Sequence, residues 1–161
     1  MVKTERLREL FDYLPSGELV RKLPASTNAH AGDIAGYVRG DGRSFVSVDG
    51  KKYRTHRLIW LWHGRELPKR LDHINRKEQD NRIENLRACT NAENGWNAKL
   101  SKVNKSGIKG VSWNPLNSKW RVRVRVNGSN LNFGCHEDLE LAELVSIEAR
   151  AKYHGAFANA H

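Results

Sequence analysis

LDHINRKEQDNRIENLRACTNAEN, residues 71–94, decides how the chain is read. Asp72 stands beside His73, and asparagines follow at 75, 81, 85, 91 and 94, several of them where no special turn is needed. The stretch is rich in metal-binding and hydrogen-bonding side chains and poor in residues that fill a core. Leu67 to His73 is brief and extended after Pro68. Lys77 to Asn81 is polar enough to be a loop. Arg82 to Ala88, if extended, places Ile83, Asn85 and Arg87 on one side and Glu84, Leu86 and Ala88 on the other. Thr90-Asn91-Ala92-Glu93 is a capping box and predicts a helix through about Lys99.

Strand, strand and helix folding back on one another would bring Asp72, His73, Asn85 and Asn94 into one pocket. Asp72 offers a hard carboxylate oxygen suited to Mg²⁺ or Mn²⁺. Asn94, in the first turn of its helix, can add a neutral amide oxygen. His73 points to the other side of its strand from Asp72, so it can face a nucleophile while Asp72 faces the metal. An imidazole with an ordinary pKa near ~6.5 accepts a proton from water at physiological pH. Asn85 is positioned to hold one ring nitrogen of His73 and fix its tautomer. A metal on a phosphate oxygen, with water activated by a base, is what phosphodiester cleavage requires. Arg82 and Arg87 read either as phosphate clamps or as solvated arginines. His56 and His63 read as core or surface histidines, and Trp60, Trp62 and Trp96 as packing.

These residues resemble the HNH endonuclease family, whose ββα-metal fold presents such a site. The matching motifs are Asp72-His73-Ile74, Asn85-Leu86-Arg87 and Glu93-Asn94. The resemblance to the homing branch of that family implies that Asp72 and Asn94 ligate the metal, with His73 as general base and Asn85 as its orienting partner. Asn94 stands where the family's final histidine is named. The branch also implies a selfish, homing-type enzyme from a phage or similar element.

Outward from this stretch, the composition sets limits. The chain has 161 residues, 28 Lys plus Arg against 18 acids, and a formal net charge of +10. That size suits one domain or two small ones. Such a basic balance points to nucleic acid, anionic membrane or acidic protein. No long amphipathic basic helix and no apolar run of bilayer length stand in the sequence, which disfavours a membrane partner. The charged start MVKTERLREL lacks a signal peptide's apolar middle, so the expected location is cytoplasmic. Cys89 and Cys135 are isolated, which argues against a zinc site or a disulfide framework.

Before the decisive stretch, Thr4 to Tyr13 carries Leu7, Leu10 and Phe11 at helical spacing. Ser44 to Val48 alternates as a strand, Asp49-Gly50 marks a hairpin, and Lys51 to Arg54 returns antiparallel. Thr55 is a candidate cap for a helix running to about His63, stopped by Gly64. The role of residues 14–54 is not legible.

Beyond it, KWRVRVRV (Lys119 to Val126) alternates strictly, with Trp120, Val122, Val124 and Val126 on one face and Arg121, Arg123 and Arg125 on the other. Asn127-Gly128 turns the chain into a strand over Leu131 to Gly134, and Asp138 to about Tyr153 is helical. A one-sided guanidinium stripe can meet phosphates or guanine edges, with Lys99, Lys102, Lys105 and Lys109 adding phosphate contacts. Gly110-Val111-Ser112-Trp113, Lys119-Trp120-Arg121, Phe133-Gly134 and the ending Ala151 to Asn159 resemble the APETALA-type DNA-binding domain. That resemblance adds Trp113 to the DNA-facing set. Ser112-Trp113-Asn114-Pro115 departs from that family's arginine-rich first strand, so no base specificity carries over.

The expected fold class is α+β: a small β-rich N-terminal region (1–54), a ββα-metal nuclease core (55–99), a basic linker (100–106), and a three-stranded antiparallel sheet packed on one helix (107–161). The expected function is a divalent-metal-dependent DNA endonuclease, with double-stranded DNA as partner, no membrane, and a monomer plausible. The first alternative is a non-catalytic DNA-binding regulator on a nuclease scaffold. The second is an RNA-binding structural protein, which should place aromatics among the arginines on the exposed strand face; Trp120 falls on the valine face instead.

Overall fold

The computed structural model describes residues 2–158; Asn159, the last residue of the APETALA-like ending, lies outside them. The fold is α+β, and the chain divides into two compact units, Met1–Cys89 and Thr90–His161. The division falls inside the decisive stretch, at Thr90, the cap of its final helix, ahead of the expected linker.

The first unit opens with α1 (Thr4–Leu10) and passes directly into β1 (Phe11–Leu14), which pairs antiparallel with β2 (Glu18–Arg21). The sequence reading continued α1 to Tyr13. The structure ends it at Leu10 because Phe11 pairs with Arg21 across the hairpin, a partner that helical spacing does not register. Gly17, at φ +91°, makes the turn. β3 (Tyr37–Val38), β4 (Ser44–Val48) and β5 (Lys51–Arg54) form an antiparallel meander. Asp49 and Gly50 both take positive φ, as the tight hairpin requires.

α2 (Thr55–Trp62) follows without a break. Thr55 is its first residue rather than its cap: Arg54 holds the cap position and makes no side-chain cap bond. Gly64, at φ +73°, ends the helix as expected. Leu58 and Ile59 are fully buried with Leu7, Phe11, Leu19 and Val46 in one core. Each such side chain contributes about 1.5–3 kcal/mol by burial, so α2 is the post on which the unit is built. β6 (Leu71–His73) then pairs antiparallel with β7 (Leu86–Ala88), in register Leu71↔Ala88, Asp72↔Arg87, His73↔Leu86. The extended reading of Arg82 to Ala88 holds only for its end. Ile83–Asn85 is a 3-10 turn, which rotates Asn85 inward.

The second unit begins with α3 (Asn91–Asn97), whose capping box is present in both directions: Glu93 N–H donates to Thr90 Oγ1, and Thr90 N–H donates to the Glu93 carboxylate. β8 (Val111–Asn114), β9 (Lys119–Val126) and β10 (Ser129–His136) form an antiparallel sheet in sequential order. The Asn127-Gly128 turn is as expected, with φ of +49° and +84°. β10 runs longer than Leu131 to Gly134 and carries an irregularity between Asn132 and Cys135. α4 (Leu139–His154), capped by the Asp138 carboxylate on Leu141 N–H, covers the sheet. Val111, Val122 and Ala142 are buried between them, with Trp120, Phe133 and Val145 packed around.

Candidate active site

The β6–β7 hairpin holds Asp72 and His73 on opposite sides of one strand, as the alternation requires. Asp72 faces its cross-strand neighbour Arg87. Its Oδ2 accepts from Arg87 Nε at 3.1 Å and Nη2 at 3.0 Å. The two side chains are only 11% and 16% exposed, so this is a largely desolvated pair. His73 faces inward and is buried. Its ring meets His56 edge-on, with centroids 5.1 Å apart. Burial pushes His56 down to about 3, with His73 and neighbouring arginines adding to the effect, so His56 is neutral at physiological pH.

His73 Nε2 lies 3.1 Å from the amide oxygen of Asn81, and both residues are buried. The expected partner for this ring was Asn85. The structure gives Asn85 a different task. Its Oδ1 accepts from Asn75 N–H at 3.0 Å, and its Nδ2 donates to Asn75 Oδ1 at 3.0 Å and to the Asp80 carbonyl at 2.7 Å. Asn85 therefore clamps both ends of the loop that carries Asn81, because the 3-10 turn aims its amide at the loop. Asn81 was visible in the sequence only as a polar loop residue. The signal that marks it out is its burial among polar neighbours, which a sequence does not display.

Of the two arginines here, Arg82 forks onto the Asp80 carboxylate, Nε and Nη2 each donating at 2.8 Å, and Arg87 holds Asp72. Arg82, with Asn75, keeps the Asp80 carboxyl well below the usual carboxylate range. The guanidiniums expected to clamp phosphate are thus engaged with carboxylates of the hairpin itself.

In the second unit Asn94 lies within α3, its N–H donating to the Thr90 carbonyl at 3.1 Å. The Lys109 ammonium donates to the Trp96 and Ala98 carbonyls, both at 2.6 Å, closing the C-terminal end of α3. Trp113 is 46% exposed and packs edge-on against Trp120, centroids 4.9 Å apart. Arg123 and Arg125 are exposed on the sheet face opposite buried Val122 and Val124, while Arg121 is half-buried.

As to a metal, the first unit offers the Asp72 carboxylate and the second, separately, the Asn94 amide oxygen, each a hard donor. Among the described residues, no group of three or more His, Cys, Asp or Glu gathers into an all-protein cage. Mg²⁺ is commonly held by one or two carboxylates, with water and substrate phosphate completing the shell, so a sparse set of hard donors fits it. Among the described residues, no helix is long and apolar enough to cross a membrane.

Residues 53–96 match the model of an HNH endonuclease family. The chain is 34% identical over 110 residues to Protein 3.8 of Escherichia phage T7, an alignment covering 67% of this chain and 90% of that protein. No solved structure matches the chain. The Asp72-His73 hairpin lies inside the matched segment, and the chain therefore belongs to the family that includes phage Protein 3.8 and carries an HNH endonuclease domain.

Proposed function

We propose that this protein is a divalent-metal-dependent endonuclease that nicks or cuts double-stranded DNA by phosphodiester hydrolysis, with Mg²⁺ or Mn²⁺ as its metal. The observation that carries the reading is the buried, hydrogen-bonded His73 adjacent in sequence to the carboxylate of Asp72, inside the HNH-matched segment. His73 is the general base and takes a proton from the attacking water. Asp72 and Asn94 are the proposed metal ligands; Asn94 is supported by the sequence pattern, since it also falls within residues 53–96. A divalent cation, when bound, supplies Lewis-acid stabilisation of the phosphate charge. Asn85 supports the site by clamping the loop between β6 and the 3-10 turn, and Arg87 holds the Asp72 carboxylate in a fixed orientation.

The second unit is the proposed DNA-holding module, in the manner of an APETALA-type sheet, with Arg121, Arg123 and Arg125 as its contact residues and Trp113 at the edge of the same sheet. Its support is the basic stripe on one face of a sheet whose other face is packed by α4. A homing role follows only from the family resemblance.

Supercoiled plasmid with Mg²⁺ tests the reading. The native protein should relax it, and EDTA or His73→Ala should abolish relaxation. A native protein that binds DNA but leaves the plasmid supercoiled would make it the non-catalytic regulator instead.

A further inference from the structure

The ring of His73 has two nitrogens, and only the one bearing a lone pair can take a proton from water. Which one that is depends on what the other nitrogen meets. Nε2 meets Asn81 Oδ1 at 3.1 Å. The amide orientation of Asn81 is itself fixed by its surroundings. Its Nδ2 lies 3.3 Å from the Gln79 carbonyl, which can only accept, and 3.1 Å from Ser44 Oγ, which can accept. The NH₂ end must therefore face Gln79, and the oxygen must face His73. An amide oxygen accepts and never donates, so the hydrogen lies on Nε2.

We infer that Asn81 is a positioning residue for the reaction, accepting the Nε2–H of His73 and thereby making Nδ1 the proton-accepting nitrogen. This rests on His73 being the base. It also gives the N-terminal β-rich region, which the sequence left without a role, a part in the chemistry. Three of its elements grip the segment carrying Asn81. Ser44, on β4, meets the amide. Tyr13, on β1, accepts from Ile83 N–H through its hydroxyl at 3.1 Å. Gly17, in the β1–β2 turn, comes so close that a Cβ there would lie 2.7 Å from the Asn81 carbonyl carbon and 2.5 Å from the Arg82 nitrogen. Real side chains do not tolerate such contacts, so the turn is seated directly against the Asn81–Arg82 peptide. The region acts as the back wall of a hydrogen-bond chain running from β4 through Asn81 to His73.

The test reads the tautomer and the rate separately. The full chain is labelled with ¹⁵N in histidine, His73→Ala assigns the ring signals, and two-bond ¹H–¹⁵N correlations are recorded where the ¹⁵N shifts show the ring neutral. The expected pattern is a protonated Nε2 and an unprotonated Nδ1. Asn81→Leu removes the acceptor at similar size. It should mix the tautomers and slow plasmid nicking by about 10–100-fold, the usual scale for an outer residue that orients a working histidine. DNA affinity should not change. Asn81→Asp keeps an acceptor oxygen and should recover most of the rate and the Nε2–H tautomer. A native ring protonated on Nδ1 overturns the inference whether or not any variant folds. So does Asn81→Leu with an unmixed tautomer and full rate. If the native tautomer is as expected and Asn81→Leu mixes it, but the native protein never nicks DNA, the positioning stands and the nuclease reading is what fails.

Discussion

Two of the hairpins that carry arginine, β6–β7 with its loop and β9–β10, use it in opposite ways. In the first, Arg87 sits across from Asp72 and Arg82 forks onto Asp80, so each guanidinium meets a carboxylate of its own hairpin. In the second, Arg123 stands across from Asn132 and Arg125 across from Asn130. Among the described residues neither carries an ion pair, and both are exposed. A carboxylate partner ties an arginine into the fold, whereas an asparagine neighbour leaves its charge for a partner outside. Equal residue types thus divide into arginines tied into the fold and arginines left exposed, according to whether a carboxylate lies within reach, and the exposed set is the one proposed to meet DNA.

The first prediction breaks the pair on which this contrast depends. Arg87→Ala leaves Asp72 largely buried without its guanidinium, and removing one partner of a buried pair costs about 3–5 kcal/mol. Urea unfolding should show a loss of that order. A loss below about 1 kcal/mol would mean that Arg87 is as expendable as a surface arginine. The second prediction addresses the other hairpin. Arg121→Ala, Arg123→Ala and Arg125→Ala combined should weaken DNA binding and flatten its salt dependence by about 2.7 in log–log slope, if each side chain neutralises one phosphate at ~0.9 apiece. Unfolding midpoints should move little for Arg123→Ala and Arg125→Ala, which are exposed, because such substitutions away from special features stay near ±0.5 kcal/mol each, whereas half-buried Arg121 carries any larger stability loss. An unchanged slope would remove the sheet from the DNA interface.

The sequence made the second hairpin plain and the first only in part. KWRVRVRV followed by Asn127-Gly128 states strand, face and turn together, because a period of two and a turn with two positive φ values are local properties. Ser44 to Arg54 was legible for the same reason, and the Thr90–Glu93 capping box marked the start of α3. The Asp72-His73 pair was legible as chemistry. Its surroundings were not, because the partner of a buried polar group is set by tertiary approach. Asn81 and Asn85 look alike in sequence; a single 3-10 turn sends one amide to the loop, while Ser44, far off in the chain, helps aim the other at His73. The β1 strand was hidden for the same reason, since Phe11 fits a helical stripe until β2 pairs with it.

The smallest expected effect separates the two engaged arginines of the first hairpin from each other. Arg82 is exposed, unlike Arg87, so its pair with Asp80 works in screened surroundings. Its signature is therefore a pH dependence rather than a large loss. Asp80 has its folded pKa depressed by Arg82 and Asn75, so its contribution is complete above the unfolded carboxylate pKa near ~3.9 and disappears as pH falls through the folded value. Arg82→Ala removes the larger cause of that depression. Melting temperatures of native and variant protein should differ modestly at neutral pH and converge as the medium is acidified below about pH 4, where protonation begins to remove the native advantage. The DNA-binding salt slope should stay the same in the variant, because a guanidinium already forked onto Asp80 releases no counterion from DNA. A slope lowered by about 0.9 would instead move Arg82 into the company of Arg123 and Arg125, and would show that a carboxylate on the same loop is not enough to withhold an exposed arginine from phosphate.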